Sequence, residues 1–132
     1  MLLLAVSFSP ALSAPRVHII RDDPGGYVMQ YIAKYARWFS HGDSVKVDGE
    51  CASACTMVVV ATAHVCATKR ARFLFHSASL DGLYHEGATN LMWGFFPQRV
   101  RAALAARGWP APSPHPDLIE VPAHEIMPRC PD

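Results

Sequence analysis

Three short segments carry residue types that together can perform acyl transfer. Gly25 and Gly26 close the run Asp22-Asp23-Pro24-Gly25-Gly26. Ser53 lies within Gly49-Glu50-Cys51-Ala52-Ser53-Ala54-Cys55, and His76 follows Arg70-Ala71-Arg72-Phe73-Leu74-Phe75. A serine hydroxyl is a poor nucleophile until a base takes its proton, so it needs an imidazole within hydrogen-bond reach. The oxyanion formed on attack needs N–H donors. A serine at a helix N-terminus leaves the next amide, that of Ala54, without an intrahelical partner and at the positive end of the helix dipole. Two glycines let the chain turn sharply and approach a ligand closely. Taken singly, Ser53 reads as a helix N-cap, His76 as a strand-end histidine and Gly25-Gly26 as a turn. Taken together they point to a nucleophile, a general base and oxyanion donors.

Such a site needs elements that deliver all three segments to one place. Val17 to Ile20 form a short apolar run that reads as a buried strand entering the glycine turn. Val28, Tyr31, Ile32, Tyr35, Trp38 and Phe39 recur at helical spacing, which predicts an amphipathic helix over 27–39 with an aromatic core face, closed by Gly42. Residues 44–48 alternate like a strand, 49–53 read as a turn, and the small apolar run 54–63 as a buried helix. Residues 70–75 predict another strand and 77–92 an irregular loop. Pro97 opens a helix that Gly108 ends. Four prolines make 109–117 an extended connector, 118–121 a short strand and 123–128 a last helical turn. Alternating strands and helices predict an α/β fold with a parallel sheet and right-handed crossovers. If 44–48 and 70–75 are neighbouring parallel strands, Ser53, His76 and the glycine turn share the carboxyl edge of the sheet, where ligands bind in open α/β sheets.

Composition narrows the function classes. The chain has 132 residues, 51 % hydrophobic and 17 % charged, which predicts one domain with a packed core and excludes a solvated disordered chain. Lys+Arg 12 against Asp+Glu 11 gives +1, without basic residues interleaved with aromatics, so nucleic acid is not expected as a partner. No apolar run reaches the roughly 18–20 residues of a membrane-spanning helix. Cys51, Cys55, Cys66 and Cys130 fit two disulfides in an oxidising compartment, or four thiols in a reducing one. A zinc set of Cys51, Cys55, His64 and Cys66 lacks the usual ligand spacing, so neither a metal nor another cofactor is expected. A helix after Cys55 would carry Cys66 about 15 Å away at the α-helical rise. That exceeds disulfide reach. Cys66–Cys130 is therefore the expected bridge, with Cys51 and Cys55 as a second bridge or free. Residues 1–13 read either as a secretory signal, with an apolar run and Ala11-Leu12-Ser13 but no basic start, or as the remnant of a strand and helix. Residues 14–132 form the single domain. His18, His41, His64, His85, His115 and His124 read as surface or structural, and Arg99, Arg101 and Arg107 as a solvated helix face.

Gly49-Glu50-Cys51-Ala52-Ser53 resembles the G-x-x-A-S motif around the nucleophile of ClpP-type serine peptidases. Asp22-Asp23-Pro24-Gly25-Gly26 resembles the family's S-P-G-G oxyanion turn, and residues 70–76 resemble the strand ending in its catalytic histidine. The order is retained, and C-A-S-A-C-T (51–56), L-F-H (74–76) and E-I-M-P-R-C (125–130) are similar to a bacterial ClpP-like group. The likeness spans residues 17–130. It implies a ClpP/crotonase-like fold of stacked ββα units, N-terminally truncated, with Ser53 as nucleophile, His76 as base, and Gly26 with Ala54 as oxyanion donors beside Gly25. It further implies a peptide or small acyl substrate and a periplasmic or secreted location, and leaves a homo-oligomer open. The sequence departs from the pattern in three places. Asp23 replaces a serine and adds negative charge beside the oxyanion turn. The preceding strand and helix are missing or reduced to residues 1–16. The third triad position has no secure match, with Asp117 preferred over Glu120 and Glu125. Two other expectations stand beside the hydrolase: a non-catalytic relative that binds a peptide or protein partner, and an acyl-CoA enzyme of the crotonase type, against which the Ser/His pair speaks.

Overall fold

A computed structural model describes residues 9, 12–109 and 118–132. Most of the expected signal segment and the whole of Asp117 lie outside the described residues. The element order is β1 (Val17–Asp23), α1 (Val28–Ser40), β2 (Ser44–Ala52), a 3-10 helix (Ser53–His64), β3 (Val65–Ala67), β4 (Arg72–Phe75), β5 (Ser79–Leu80), β6 (Leu83–Tyr84), α2 (Glu86–Phe95), α3 (Gln98–Ala105), β7 (Ile119–Val121) and α4 (Ala123–Ile126). The fold is mixed α/β. In the main sheet the strands order β1-β2-β4-β7 with β3 also on β2, and its pairings are parallel except β4 with β7; β5 and β6 form a separate antiparallel pair.

Register positions the site. Asp23 at the end of β1 pairs with Cys51, and Leu74 of β4 pairs with Ala52. Gly25, Ser53 and His76 therefore leave three adjacent strands within two residues of one line across the sheet. Parallel pairing forces this, because strands running the same way in register must end on the same edge.

Several sequence expectations are corrected. Residues 49–52 continue β2 instead of turning, because Glu50 and Cys51 are paired on both sides, by β1 and β4, and Ala52 is paired with β4. Gly49 marks a bulge, not a stop. The β1–β2 register shifts between Ile20 and Asp22, and a Cβ at Gly49 would collide with the Arg21 carbonyl. Strand β1 likewise runs past Ile20 through Asp22 and Asp23. The stretch read as irregular, 77–92, contains a two-stranded hairpin and most of α2. Short β3 escapes the sequence reading, since three residues carry no visible period. The buried segment after Ser53 is a 3-10 run broken at Ala61 (φ −128°, ψ 65°) instead of one regular helix. Its β-branched Val58-Val59-Val60 and the kink suit a tightly wound, core-enclosed segment better than a free α-helix.

The core lies between the sheet and its helices. Val45, Val47, Phe73, Phe75, Val58 and Leu104 are completely or almost completely buried. Helix α1 supplies Tyr35, with Tyr31, Ile32, Trp38 and Phe39 packed partly buried around it. Tyr35 donates to the Cys55 carbonyl at 2.9 Å, satisfying a backbone acceptor of the 3-10 run. Burial pushes the Tyr35 phenol well above its ordinary pKa, so it stays an O–H donor.

Two tethers close the molecule. Cys66 is bonded to Cys130, and Cys51 to Cys55. The first joins residues 64 apart in sequence and docks the C-terminal segment on β3, where Ala67 accepts from Cys130 N–H at 3.0 Å and donates to Pro128 O at 2.9 Å. Just ahead of the first residue of β2, buried Asp43 accepts from Arg16 N–H at 2.9 Å, from His41 Nδ1 at 2.8 Å and from His18 Nε2 at 2.8 Å. The His18 ring stacks on Trp38 at 3.7 Å. Hydrogen bonds from His18, then His41, then the Arg16 amide hold the Asp43 carboxyl below its usual range.

Loss of the Cys66–Cys130 bridge frees a far longer loop than loss of Cys51–Cys55. The chain-entropy account gives roughly 4 kcal/mol for the former and about 2 kcal/mol for the latter. Cys66→Ser/Cys130→Ser should therefore lower the urea midpoint more than Cys51→Ser/Cys55→Ser, and equal shifts would contradict that account. The Asp43 carboxyl is depressed on folding, so its stabilisation is present above the unfolded carboxylate value and lost as pH falls through the lower folded one. Urea unfolding between pH 6 and 3 should show a loss of stability beginning near pH ~4. Asp43→Asn should be less stable at pH 6 and show a shallower acid limb.

Candidate functional site

Ser53 is the first residue past β2 and adopts φ +56°, a left-handed conformation unusual for a residue with a Cβ. This turns the chain abruptly from strand into helix and presents the side chain at the sheet edge, as in strained strand-to-helix elbows that display a nucleophile. Around it the elbow is pinned. The Cys51–Cys55 disulfide brackets it, and Thr56 Oγ1 donates to the Ser53 carbonyl at 2.6 Å.

The glycine turn packs directly on this elbow. Gly25 has φ +88°, and a Cβ there would lie 2.7 Å from Ala52 O, 2.7 Å from Ser53 Cβ and 2.8 Å from Ala54 N. Only glycine fits against the serine and its following amide. The sequence reading made both glycines oxyanion donors, and the structure corrects this for Gly25. Its N–H donates to Asp23 Oδ1 at 2.9 Å and is not available to a ligand. Within the described residues no hydrogen bond engages the amides of Gly26 or Ala54. Ala54 N lies in the unpartnered first turn of the 3-10 helix.

Asp23 is organised here. Besides Gly25 N–H, its Oδ1 accepts from Tyr31 Oη at 2.6 Å, and Lys34 Nζ lies 3.9 Å from Oδ2 and 4.0 Å from the Tyr31 ring centroid. Burial, with the Asp23 hydrogen bond and charge behind it, pushes the Tyr31 phenol up to about 12, which keeps it a donor. The extra negative charge expected beside the turn is thus tied to a cation and two donors, and it shapes the turn.

His76 follows β4 directly. Its Nδ1 lies 2.6 Å from the Ser77 carbonyl, which can only accept, so Nδ1 is the donor and the neutral ring is the tautomer with its lone pair on Nε2. His76 and Ser53 line one cleft of about 310 Å³ together with Gly26, Tyr27, Met29, Leu80 and Met92. No hydrogen bond joins Ser53 to His76. Of the carboxylates considered as a third member, Glu120 is paired to Arg72 at 3.0 Å and Glu125 to Arg107 at 2.7 Å, neither lines the cleft, and Asp117 lies outside the described residues. The position a triad acid would fill, at Nδ1, is occupied by a main-chain carbonyl.

His85, expected as surface or structural, is both: it is exposed and is the N-cap of α2, with Nδ1 accepting from Ala88 N–H at 3.0 Å, and it also lines the cleft. The only sequence signal was its place ahead of a helix hidden in a stretch read as loop. His18 and His41 are structural, around Asp43, and His64 stacks on Phe39 at 5.7 Å. Among the described residues no cluster of His, Cys, Asp and Glu could hold a metal ion, and the four cysteines are used in bridges.

No protein-family model matches the chain, and no curated protein matches it. The functional reading therefore rests on the site itself.

Gly25→Ala should force a Cβ into the elbow at a φ that disfavours it, costing roughly 1–3 kcal/mol. The urea midpoint should fall and the Ser53 hydroxyl should lose reactivity toward electrophiles. A variant of unchanged stability and reactivity would contradict the close packing of turn and elbow.

Proposed function

We propose that the chain is a serine hydrolase of the ClpP-like type, built on ββα units of the ClpP/crotonase kind, cleaving an amide or ester through a Ser53 acyl-enzyme. The observation that carries this is the strained Ser53 elbow opening into one cleft with an imidazole whose Nδ1 is engaged by the Ser77 carbonyl, so that Nε2 is the nitrogen left for a base. In the first step Ser53 Oγ bonds to the substrate carbonyl carbon while its proton passes to His76 Nε2. The carbonyl oxygen becomes an oxyanion facing the Gly26 and Ala54 amides. Collapse expels the amine or alcohol, which takes the proton from His76. Water activated by the same nitrogen then releases the acid and restores Ser53. The Ser77 carbonyl holds the ring tautomer, so His76 and Ser53 act as a dyad, and Asp117 is assigned no step.

Substrate class follows from the walls. Tyr27, Met29 and Leu80 are largely exposed around the cleft and suit an apolar acyl group or peptide side chain. Two disulfides, and the lack among the described residues of a helix long and apolar enough to cross a membrane, suit a periplasmic or secreted protein. A second reading, a non-catalytic domain that binds a peptide, is favoured by one observation: Ser53 and His76 are not hydrogen-bonded. Apo catalytic contacts are often long and tighten on substrate binding.

A fluorophosphonate probe separates the two. The wild-type chain should be labelled, Ser53→Ala not at all, and His76→Ala more slowly by about 10²–10⁴-fold, the usual contribution of a general base. Equal labelling of wild type and Ser53→Ala removes the hydrolase reading and leaves the binding domain.

A further inference from the structure

We propose that His85 is a second functional imidazole of the cleft, a neutral ring with its proton on Nε2 that donates to an uncharged carbonyl of the bound ligand. The cleft itself stands on the structure, whereas the effect on turnover described below rests on the hydrolase reading.

Chemistry at the ring determines the tautomer. A backbone N–H can only donate, so the Ala88 N–H to His85 Nδ1 bond at 3.0 Å requires a bare Nδ1. A neutral imidazole then carries its proton on Nε2. Protonating Nδ1 as well would set two donors against each other and break the helix cap. His76 has the opposite arrangement, Nδ1 donating to the Ser77 carbonyl at 2.6 Å, which in the neutral ring puts the lone pair on Nε2. One cleft thus holds two imidazoles of complementary character, an acceptor nitrogen on His76 and a donor N–H on His85.

The two rings are also linked through the backbone. His85 N–H donates to Ala78 O at 2.9 Å, and Ala78 N–H donates to Thr89 Oγ1 at 3.0 Å. Thr89 Oγ1 in turn donates to His85 O at 2.9 Å, and Thr89 is completely buried. His85 is therefore held to a residue two positions beyond His76, and the hairpin between them is closed at its base. His85 is exposed, but these bonds fix its backbone in place.

The ligand chemistry follows from what else lines the cleft. Among the described residues that line the cleft there is no Asp, Glu, Lys or Arg, and most of that wall is apolar. A charged ligand group would find no counter-charge among them. A fixed neutral N–H beside apolar walls suits an uncharged acceptor next to an apolar group, which is the pattern of an N-acylated apolar amino acid in a peptide. His85 would hold the acyl or peptide carbonyl that neighbours the reacting one. It is a positioning residue: no bond forms or breaks on it.

Long-range ¹H–¹⁵N spectra of the full chain labelled at histidine test the tautomers directly. His85 should show the Nε2–H form and His76 the Nδ1–H form, and an Nδ1–H or doubly protonated His85 at neutral pH would overturn the proposal. Asn is a good N-cap acceptor, so His85→Asn should keep the α2 cap and the wild-type urea midpoint while removing the donor. With N-acetyl-leucine p-nitrophenyl ester, His85→Asn should raise KM about three- to tenfold, the effect of one neutral hydrogen bond, with kcat little changed. With p-nitrophenyl 4-methylpentanoate, which lacks the acetamido carbonyl, KM should not move. Equal KM changes for both esters, or none for either, would overturn the proposal. If the wild-type chain turns over neither ester, the hydrolase reading fails separately. Titration with N-acetyl-leucinamide then decides the present one. A saturable shift of the His85 Nε2–H resonance that Ser53→Ala retains supports it, and no shift removes it.

Discussion

A serine in a left-handed conformation can exist beside the sheet only because a residue without a side chain lies against it. Gly25 touches the strand end, the serine and the following amide at once, and no other residue type fits there. This contact ties the turn after β1 to the junction after β2. Other features around it act to hold it. Asp23 grips the Gly25 amide and is itself held by Tyr31 and Lys34 from α1. The Cys51–Cys55 bridge stiffens the elbow from the other side, while Tyr35 reaches across from α1 to the Cys55 carbonyl. Strain at Ser53 persists because the surroundings over-determine it.

The cleft is organised by main-chain groups more than by charges. Each of its two histidines has its Nδ1 engaged by a backbone partner, a carbonyl for His76 and an amide for His85, and this sets the tautomer of each neutral ring. Two carboxylates weighed for the triad, Glu120 and Glu125, are engaged in ion pairs with Arg72 and Arg107. A site built this way depends little on long-range electrostatics and heavily on the backbone keeping its position. The 64-residue disulfide clasp and the Asp43 cluster sit away from the cleft and provide that rigidity.

Much of this was legible in the residues. The amphipathic period of α1, the two strands flanking Ser53, the Pro97-to-Gly108 helix and the Cys66–Cys130 pairing all follow from spacing and reach. Misreadings share a physical cause. Gly49 reads as a turn because a lone glycine usually breaks a strand, whereas here two neighbouring strands satisfy the backbone on both sides and the glycine only admits a bulge. Residues 77–92 read as loop because α2 buries just Thr89 and Met92 and shows a weak apolar stripe, so the helix that carries His85 as its cap went unseen.

Residue type and order by themselves determined that a hydroxyl, an imidazole and a glycine turn would meet at the carboxyl edge of a parallel sheet, since parallel strands read in sequence must end together. What each of those groups is free to do was decided only by the tertiary structure. The Gly25 amide is consumed by a carboxylate two residues before it, Asp23 is neutralised by a helix that follows it, and His85 enters the cleft because Ala78 and Thr89 hold it there. Hydrogen-bond partners between residues distant in the chain, and the tautomers they impose, have no signature in local sequence.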